Sequence, residues 1–393
     1  MRLFISTGEV SGDLQGALLI EALKEQAKEK GLELEIFALG GEKMAAVGAK
    51  IVGDTTVIAS MGLLETLPFL VPTIKVRQKA IACLKENPPD LVVLIDNMGL
   101  NIAVGQFIRR NYPKIPLVYY IAPQAWAANL RFLTATTTSQ IVSVCDKLLA
   151  IFPEEARYFS RHGANVTWVG HPLVDRMQTF PTREEARSIL NITEDDVAVA
   201  LLPASRHQEL KYLLPTIFKT AQNIQAQLPK VHFWIPLSLE VFRKPIEDAI
   251  QSYGLQATVI SNHQQKQVLA AADLAITKCG TVNLELALLK VPQVVMYKLQ
   301  GFSFWVAENI MKLSLPFACP ANLVVMKPIV PEFIQNRASV ENLTQAAMEL
   351  LTDTQRRSQT ISDYQQMSLT LGETGVCSRV AKEILDLMLI TNG

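Results

Sequence analysis

The sequence has no excess of charge of either sign, because 37 lysines and arginines balance 37 aspartates and glutamates over 393 residues. That balance removes the usual electrostatic argument for a nucleic-acid-binding protein. Long apolar segments are also missing, since no uncharged apolar run approaches the ~20 residues of a membrane-spanning helix. The N-terminal segment MRLFIST has too few apolar side chains for the core of a signal peptide. These absences predict a cytoplasmic protein and leave attachment to a membrane surface open.

Cysteine is scarce, and the few cysteines do not form a pattern. There are five of them, widely spaced and without a CxxC pair: Cys83, Cys145, Cys279, Cys319 and Cys377. An odd number at such spacing argues against a disulfide framework and against a structural zinc site. We therefore expect a protein of a reducing compartment, with no metal site and no cofactor.

Apolar runs of strand length recur along the chain, and they alternate with segments of helical pattern. Hydrophobic residues make up 49% of the chain and charged residues 19%, as in a folded globular protein. The runs in the first half are RLFIS, LELEIFALGG, PDLVVLID, IPLVYYIAP, DKLLAIFP and NVTWVGHP. The pattern restarts with DVAVALLPASR, KVHFWIPLS, LQATVIS, ADLAITKCG and VPQVVMYKL. Such alternation predicts right-handed βαβ units and parallel sheets.

The restart of this pattern predicts two domains in an α/β protein. We expect an N-terminal Rossmann-like domain over 1–172, a second Rossmann-like domain over 173–352, and a C-terminal helical segment over 353–393. Ligands of such sheets bind outside the carboxyl ends of the strands. The parallel sheets should therefore face a central cleft.

The segment STGEVSGD joins the first strand to a helix that the pattern predicts from Leu14 to Lys28. Gly8 and Gly12 allow a ligand to approach the backbone, and Ser11 or Asp13 can cap the helix. Glu9 and Asp13 would repel a pyrophosphate, so the segment is not a dinucleotide fingerprint. A capped turn without a ligand is an equal alternative.

Asp96 ends the apolar run LVVLID, where a carboxylate at a strand tip points into a cleft and burial raises its pKa. Such a group suits a general base that removes a proton from a hydroxyl. The alternative is an N-cap of the helix that follows. Asn101 is a second polar candidate in the same segment.

Arg206 follows the first strand of the second half in the segment LLPASR, directly after Ser205. A guanidinium matches a diphosphate bidentately. The alternative is a surface salt bridge to Glu209.

The segment TKCGTVNLELA reads as strand, turn and helix, with Gly280 and Thr281 in the turn. Backbone N–H groups and the Thr281 hydroxyl would meet a phosphate there, with Lys278 adding positive charge. Glu285, one helical turn further on, can accept two hydrogen bonds from a ribose. A phosphate together with a ribose indicates a nucleotide.

Two further features have ordinary structural alternatives. His171, at a strand end, is more simply a packed structural side chain than a catalytic group. The segment from Phe302 to Met311 is rich in aromatic residues, which form either core or a lipid-facing patch.

Together these segments resemble the lipid-A-disaccharide synthase family of glycosyltransferases. The resemblance covers nearly the whole chain in order: GEVSGD, MGLLETL, PDLVVLID, VYYIAPQAWA, LLAIFPEEARYFSRHG, VGHPLVD, LLPASR, GTVNLELALLKVPQVVMYKL, FSFWVA and ANLVV. It implies a GT-B fold and an enzyme at the inner face of the cytoplasmic membrane. The implied reaction joins UDP-2,3-diacylglucosamine to 2,3-diacylglucosamine 1-phosphate through a β-1,6 linkage, with inversion and release of UDP. It also implies a homodimer.

The resemblance assigns roles to particular residues. Asp96 matches the family's essential aspartate and Arg206 its essential arginine. The residues that we predict to bind the nucleotide sugar are Ser205, Arg206, Gly280, Thr281, Glu285 and Asn322. Those that we predict to bind the acylated glucosamine phosphate acceptor are Gly8, Glu9, Ser11, Gly12, Asp13 and Asn101.

The sequence departs from the family's pattern at several of these motifs. Gly99 stands where the family has a second aspartate, Ala128 and Asn129 replace a tryptophan and an arginine, and Ala204 and Cys279 alter the phosphate loops. Two alternatives follow. One is a related glycosyltransferase with another UDP-sugar or acceptor, and the other is a non-catalytic nucleotide-sugar-binding paralogue.

Overall fold

The structure, a computed structural model, describes residues 1–56, 70–123, 131–204, 207–298 and 317–392. They form two compact units, one made of 1–175 and 371–392, and one made of the described residues between 176 and 370. The division follows Asp175, three residues beyond the predicted end of the first domain. The segment 353–393 is helical as far as it is described, and its last helix belongs to the first unit.

The first unit contains a parallel sheet of seven strands in the order β3-β2-β1-β4-β5-β6-β7. The strands are β1 (Arg2–Thr7), β2 (Glu35–Gly40), β3 (Lys50–Asp54), β4 (Leu91–Ile95), β5 (Leu117–Tyr120), β6 (Lys147–Ala150) and β7 (Val166–Trp168). All five residues of β4 are fully buried, as expected for a central parallel strand with helices on both faces. The sequence reading missed β3, a half-exposed edge strand that is not a continuous apolar run.

Helices cover this sheet, and their bounds are α1 (Val10–Glu29), α2 (Glu42–Ala46), α3 (Leu70–Glu86), α4 (Met98–Asn111), α5 (Arg131–Val144) and α6 (Pro153–Arg161), with α7 (Leu173–Met177) at the division. Helix α1 begins four residues before the predicted Leu14, so the turn residues Ser11 to Asp13 are helical. The Asp13 N–H donates to the carbonyl of Glu9 at 3.0 Å and closes the first turn. Position 12 requires glycine, because a Cβ atom added there would lie 1.7 Å from Thr7 Oγ1.

The second unit contains a parallel six-stranded sheet in the order β10-β9-β8-β11-β12-β13. Its strands are β8 (Val197–Leu202), β9 (Val231–Pro236), β10 (Ala257–Ile260), β11 (Leu274–Lys278), β12 (Gln293–Tyr297) and β13 (Glu332–Ile334). The order is that of a Rossmann sheet. The short edge strand β13 was not predicted, because three residues carry no recognisable periodicity.

The helices of this unit are α8 (Arg183–Ile189), α9 (His207–Gln227), α10 (Arg243–Tyr253), α11 (Gln265–Ala271), α12 (Val282–Leu288), α13 (Pro320–Val325), α14 (Val340–Thr352) and α15 (Thr354–Thr370). The last helix, α16 (Val376–Asn392), returns to the first unit. Short 3-10 turns span Glu240–Phe242, Asn262–Gln264 and Gln335–Arg337. Within the described ranges, no helix is both long and apolar enough to cross a membrane.

The strand order reverses at one point in each sheet, between β1 and β4 and between β8 and β11. Ligands of open α/β sheets bind beyond the carboxyl ends of strands at such a point. The loops after β1, β4 and β11, together with the first turns of the helices that follow them, contain most of the predicted site residues. The topology therefore brings Gly8 close to Asp96 in the first unit and sets Gly280 at the corresponding position of the second.

Candidate active site

Asp96 follows β4 in a left-handed backbone conformation, with φ of 53°. Such a conformation costs a residue other than glycine ~1–3 kcal/mol and persists where its surroundings impose it. Here the Asp96 N–H donates to the carbonyl of Ile121 at 3.0 Å. The Asp96 carbonyl accepts hydrogen bonds from the Tyr119 hydroxyl at 2.8 Å and from Asn101 Nδ2 at 2.9 Å. These bonds hold the strand tip in one conformation.

The side chain that caps α4 belongs to Asn97, whose Oδ1 accepts the N–H of Leu100 at 3.2 Å. The alternative role of Asp96 as the N-cap is therefore excluded. Burial raises the pKa of Asp96 to about 7, and the negative charge of Glu9 adds to that rise. A carboxylate with this pKa is suited to accept a proton near neutral pH.

Asn101 is fully buried, and its amide has partners within the first unit. Its Nδ2 donates to the carbonyls of Ile95 and Asp96, both at 2.9 Å, and its Oδ1 accepts the Ser6 hydroxyl at 2.7 Å. These contacts join the ends of β1 and β4. A direct contact between Asn101 and an acceptor stays a prediction.

The loop after β1 packs tightly against the loop after β4. A Cβ atom added at Gly8 would lie 2.2 Å from Asn97 Cγ, so only glycine fits there. Glu9 is half-buried and Ser11 is exposed at the start of α1. Glycine at positions 8 and 12 thus lets the two loops and β1 pack closely, whether or not a ligand binds there.

Asp13 is buried in the first turn of α1. Its carboxylate accepts backbone N–H groups from Gly41 at 2.7 Å, Lys43 at 3.1 Å and Met44 at 3.2 Å. These donors lie at the start of α2. Asp13 therefore stabilises the end of β2, and its predicted contact with an acceptor is not tested by this arrangement.

The turn after β11 lies at the switch point of the second sheet. The N–H of Gly280 donates to Asn283 Oδ1 at 2.8 Å, whereas Thr281 is exposed. Lys278 Nζ lies 3.1 Å from Glu209 Oε1, and both side chains are mostly buried. Glu209 is thus an ion-pair partner of Lys278. Ser205 and Arg206 lie outside the described residues.

Glu285 is 3% exposed and forms an ion pair with Arg176 Nη1. Arg176 also lies over the ring of Phe180, with 5.8 Å between Cζ and the ring centroid. The sequence predicts that Glu285 contacts a ribose, and the ion pair with Arg176 was not predicted. A ribose would therefore have to share this carboxylate with Arg176 or displace it.

Asn322 and His171 are both buried with partners in their own units. Asn322 Nδ2 donates to the carbonyl of Val330 at 2.9 Å, and its Oδ1 accepts the Val330 N–H at 2.7 Å. His171 Nδ1 accepts the N–H of Leu173 at 3.1 Å, and burial lowers its pKa to about 4. The structural role predicted for His171 is confirmed, and the nucleotide contact predicted for Asn322 remains a prediction.

Comparison with known proteins identifies the family. A family model described as Lipid-A-disaccharide synthetase matches residues 3–385. The chain belongs to the lipid-A-disaccharide synthase family. The lipid-A-disaccharide synthase of Gloeothece citriformis is 56% identical over 386 residues, covering 98% of this chain and 100% of the relative. The lipid-A-disaccharide synthase of Synechocystis sp. is 48% identical over 387 residues, covering 98% of each. This chain is a glycosyltransferase of lipid A biosynthesis.

Solved structures agree with the fold of this lipid-A-disaccharide synthase family member. A UDP co-structure from S. aureus superposes with a TM-score of 0.66 at 15% identity, covering 99% of this chain and 97% of that one. The UDP-GlcNAc 2-epimerase of Neisseria meningitidis, bound to UDP-GlcNAc, has a TM-score of 0.63 at 13% identity, covering 98% and 100%. The predicted class, two Rossmann-like domains in a GT-B-like fold, is confirmed.

The sequence reading missed three residues near the predicted site. Tyr119 lies in the apolar run of β5, Glu155 in α6 and Arg176 in the short helix α7, and none of them was among the predicted site residues. Glu155 is fully buried, and burial raises its pKa to about 8. The available signal was the segment FPEE, in which a glutamate follows a strand and a proline at the start of a helix.

Gly99, one of the positions where the sequence analysis finds a departure from the family pattern, is exposed in the first turn of α4. A Cβ atom added there meets nothing within 4 Å. We expect Gly99→Asp to raise the free energy of unfolding by ~1 kcal/mol, from the lost glycine entropy and a carboxylate at a helix N-terminus. Denaturant unfolding below pH 7, where Asp96 is largely protonated, measures it.

The control for this substitution is Gly99→Ala, which changes the backbone entropy without adding a charge. It should be stabilised less than the aspartate variant. Equal stability of the two variants would show that the carboxylate does not interact with the helix terminus.

Proposed function

We propose that the protein joins UDP-2,3-diacylglucosamine to 2,3-diacylglucosamine 1-phosphate through a β-1,6 linkage, with inversion and release of UDP. Family membership over residues 3–385 supports lipid A glycosyl transfer. The observation that carries the mechanism is Asp96 at the tip of β4, with a pKa of about 7. Its backbone N–H and carbonyl are held by hydrogen bonds with Ile121, Tyr119 and Asn101.

Inversion at the anomeric carbon requires one direct displacement by the acceptor hydroxyl. In our proposal the ionised Asp96 carboxylate removes the proton from that hydroxyl as its oxygen forms the bond to the anomeric carbon. The bond to the UDP oxygen breaks in the same step, and UDP leaves with the electron pair. Glu9, Ser11 and the glycines of the β1 loop would contact the acceptor.

The nucleotide would bind to the second unit. Arg206 and Ser205 would contact the diphosphate, together with the exposed Thr281 and the backbone at Gly280. Glu285 would accept hydrogen bonds from the ribose hydroxyls, and Asn322 would contact the nucleotide sugar. The S. aureus and Neisseria neighbours were solved with UDP and UDP-GlcNAc, which supports a UDP-sugar as the donor.

An assay with both acylated substrates tests this proposal. Purified protein, incubated with UDP-2,3-diacylglucosamine and 2,3-diacylglucosamine 1-phosphate, should yield UDP and a disaccharide 1-phosphate identifiable by mass spectrometry. The linkage and anomeric configuration follow from NMR of the product. Turnover only with another UDP-sugar or another acceptor would refute the proposed substrates.

We also propose that the enzyme acts at the inner face of the cytoplasmic membrane, because both substrates carry acyl chains. The sequence predicts the contact at Phe302–Met311, a segment that lies outside the described residues. Vesicles should float the wild type, and a Phe302→Ser/Trp305→Ser variant should float clearly less. Equal flotation of the two proteins, or none of either, would contradict this contact. A homodimer remains a further proposal.

A further inference from the structure

A second residue in a left-handed conformation lies beside Asp96. Ile121 follows β5 with φ of 57°, and a β-branched side chain is a genuine outlier in that region. Its carbonyl accepts the N–H of Asp96 at 3.0 Å. Two adjacent strands thus end in strained residues that are bonded to each other. Strain of this kind persists only where surrounding contacts impose it.

One buried carboxylate supplies such a contact directly after Ile121. Glu155 Oε1 accepts the N–H of Ala122 at 3.1 Å, and its Oε2 accepts the N–H groups of Ile151 at 2.8 Å and Phe152 at 3.2 Å. The carboxylate therefore joins the chain after β5 to the chain after β6. Glu155 is fully buried, so water does not compete for these bonds.

We propose that Glu155 is a positioning residue that holds Ile121 in its left-handed conformation and thereby sets the position of Asp96. The inference rests on the proposed role of Asp96 as the base. Glu155 does not touch the substrates in this scheme. It acts through the Ala122 N–H, the Ile121 carbonyl and the Asp96 N–H, in that order.

Capping of α6 by itself does not account for Glu155. A capping box at the third helical position is satisfied by glutamate or glutamine, because one side-chain oxygen accepts the N-cap N–H. Here both oxygens face N–H donors, and the Ala122 donor lies 33 residues away. A glutamine that kept its oxygen on Ile151 and Phe152 would turn its NH2 group toward the Ala122 N–H. Only an acceptor at both positions fits.

Glu155→Gln therefore separates capping from positioning. We expect the variant to fold and to bind UDP as the wild type does. Its kcat should fall ~10- to 100-fold, the scale on which a misplaced catalytic group loses rate. Hydrogen exchange should become faster at the Asp96 and Ala122 amides. The assay uses the full chain above pH 8, where the carboxyl groups of Asp96 and Glu155 are both ionised.

Asp146→Asn is the matched control, because Asp146 joins the same two strands at their opposite ends. Its carboxylate accepts the N–H of Leu117, at the start of β5, at 2.8 Å and pairs with Arg109. This variant should lose stability while keeping kcat and the exchange rate at Asp96. If the loss of kcat in both variants is proportional to the decrease in their melting temperatures, Glu155 is only a stabilising residue and the inference fails.

Ile121→Gly provides a rescue test, since glycine adopts the left-handed conformation without support. Added to Glu155→Gln, it should recover part of the lost kcat. If Glu155→Gln does not fold, Glu155→Asp replaces it, both alone and combined with Ile121→Gly. The same loss and partial recovery of kcat are then expected. Wild-type kcat in Glu155→Gln overturns the inference. An active Asp96→Asn enzyme overturns the proposed base instead, and the exchange data still decide whether Glu155 acts on the Asp96 backbone.

Discussion

Asp96→Asn should lower kcat by ~10²–10⁴-fold, the usual contribution of a general base. The affinity for UDP should stay unchanged, because the base acts on the acceptor hydroxyl and the nucleotide binds to other residues. Initial rates with the two acylated substrates and calorimetric titration with UDP give the two quantities. Wild-type turnover in this variant would remove Asp96 from the mechanism.

The pH dependence of the wild type provides an independent check. The carboxyl group of Asp96 has a pKa of about 7, so the base is protonated below that pH and ionised above it. We expect kcat/KM, which reports ionisation of the free enzyme, to fall at least tenfold per pH unit on the acidic side and to level off above pH 8, where Glu155 is ionised as well. A profile that is flat from pH 5 to 8 would contradict the assignment.

Stability should change in the opposite direction to activity at this position. The folded pKa of Asp96 is raised above its ordinary value of 3.8, so ionisation disfavours the folded state as the pH rises through 7. Asparagine cannot ionise, and it keeps the backbone hydrogen bonds. The Asp96→Asn variant should therefore melt at least as high as the wild type above neutral pH, which separates loss of the base from loss of the fold.

Arg206→Ala should lower the affinity for UDP by roughly 10- to 150-fold, because a charge-assisted contact to phosphate contributes ~1.5–3 kcal/mol. Glu285→Gln should lower the affinity for UDP as well. It should barely change the affinity for inorganic pyrophosphate, which has no ribose. Titration of both ligands against both variants distinguishes a diphosphate contact from a ribose contact. Wild-type UDP affinity in Arg206→Ala would refute the assignment of the diphosphate site.

The Glu285 variant needs a further control, because Glu285 is paired with Arg176. Breaking a fully buried ion pair costs ~3–5 kcal/mol, and less is expected here because the arginine is one-quarter exposed. Arg176→Gln breaks the same pair and leaves the carboxylate in place. If the two variants lose equal stability and only Glu285→Gln loses UDP affinity, the carboxylate contacts the ribose.

The main features of the fold were predictable from local pattern. Runs such as LVVLI are long, apolar and bounded by turn residues, so they identify central parallel strands with little ambiguity. The edge strands β3 and β13 escaped prediction because half-exposed residues carry a weak pattern. The start of α1 was also misjudged, since serine and glycine among its first residues are poor helix formers and favour a turn in the sequence pattern.

By itself, the sequence determined two parallel α/β sheets, the position of Asp96 at a central strand tip, and the family. Tertiary structure decided which polar side chains are internal. Asn101, Asp13 and Asn322 fit a ligand site in the sequence, yet each has internal hydrogen-bond partners. Glu155 was not among the predicted site residues, yet it joins the ends of two strands. Local periodicity reports burial and strand or helix, whereas a buried polar group is defined by partners far away in the chain, and only the folded chain brings those partners together.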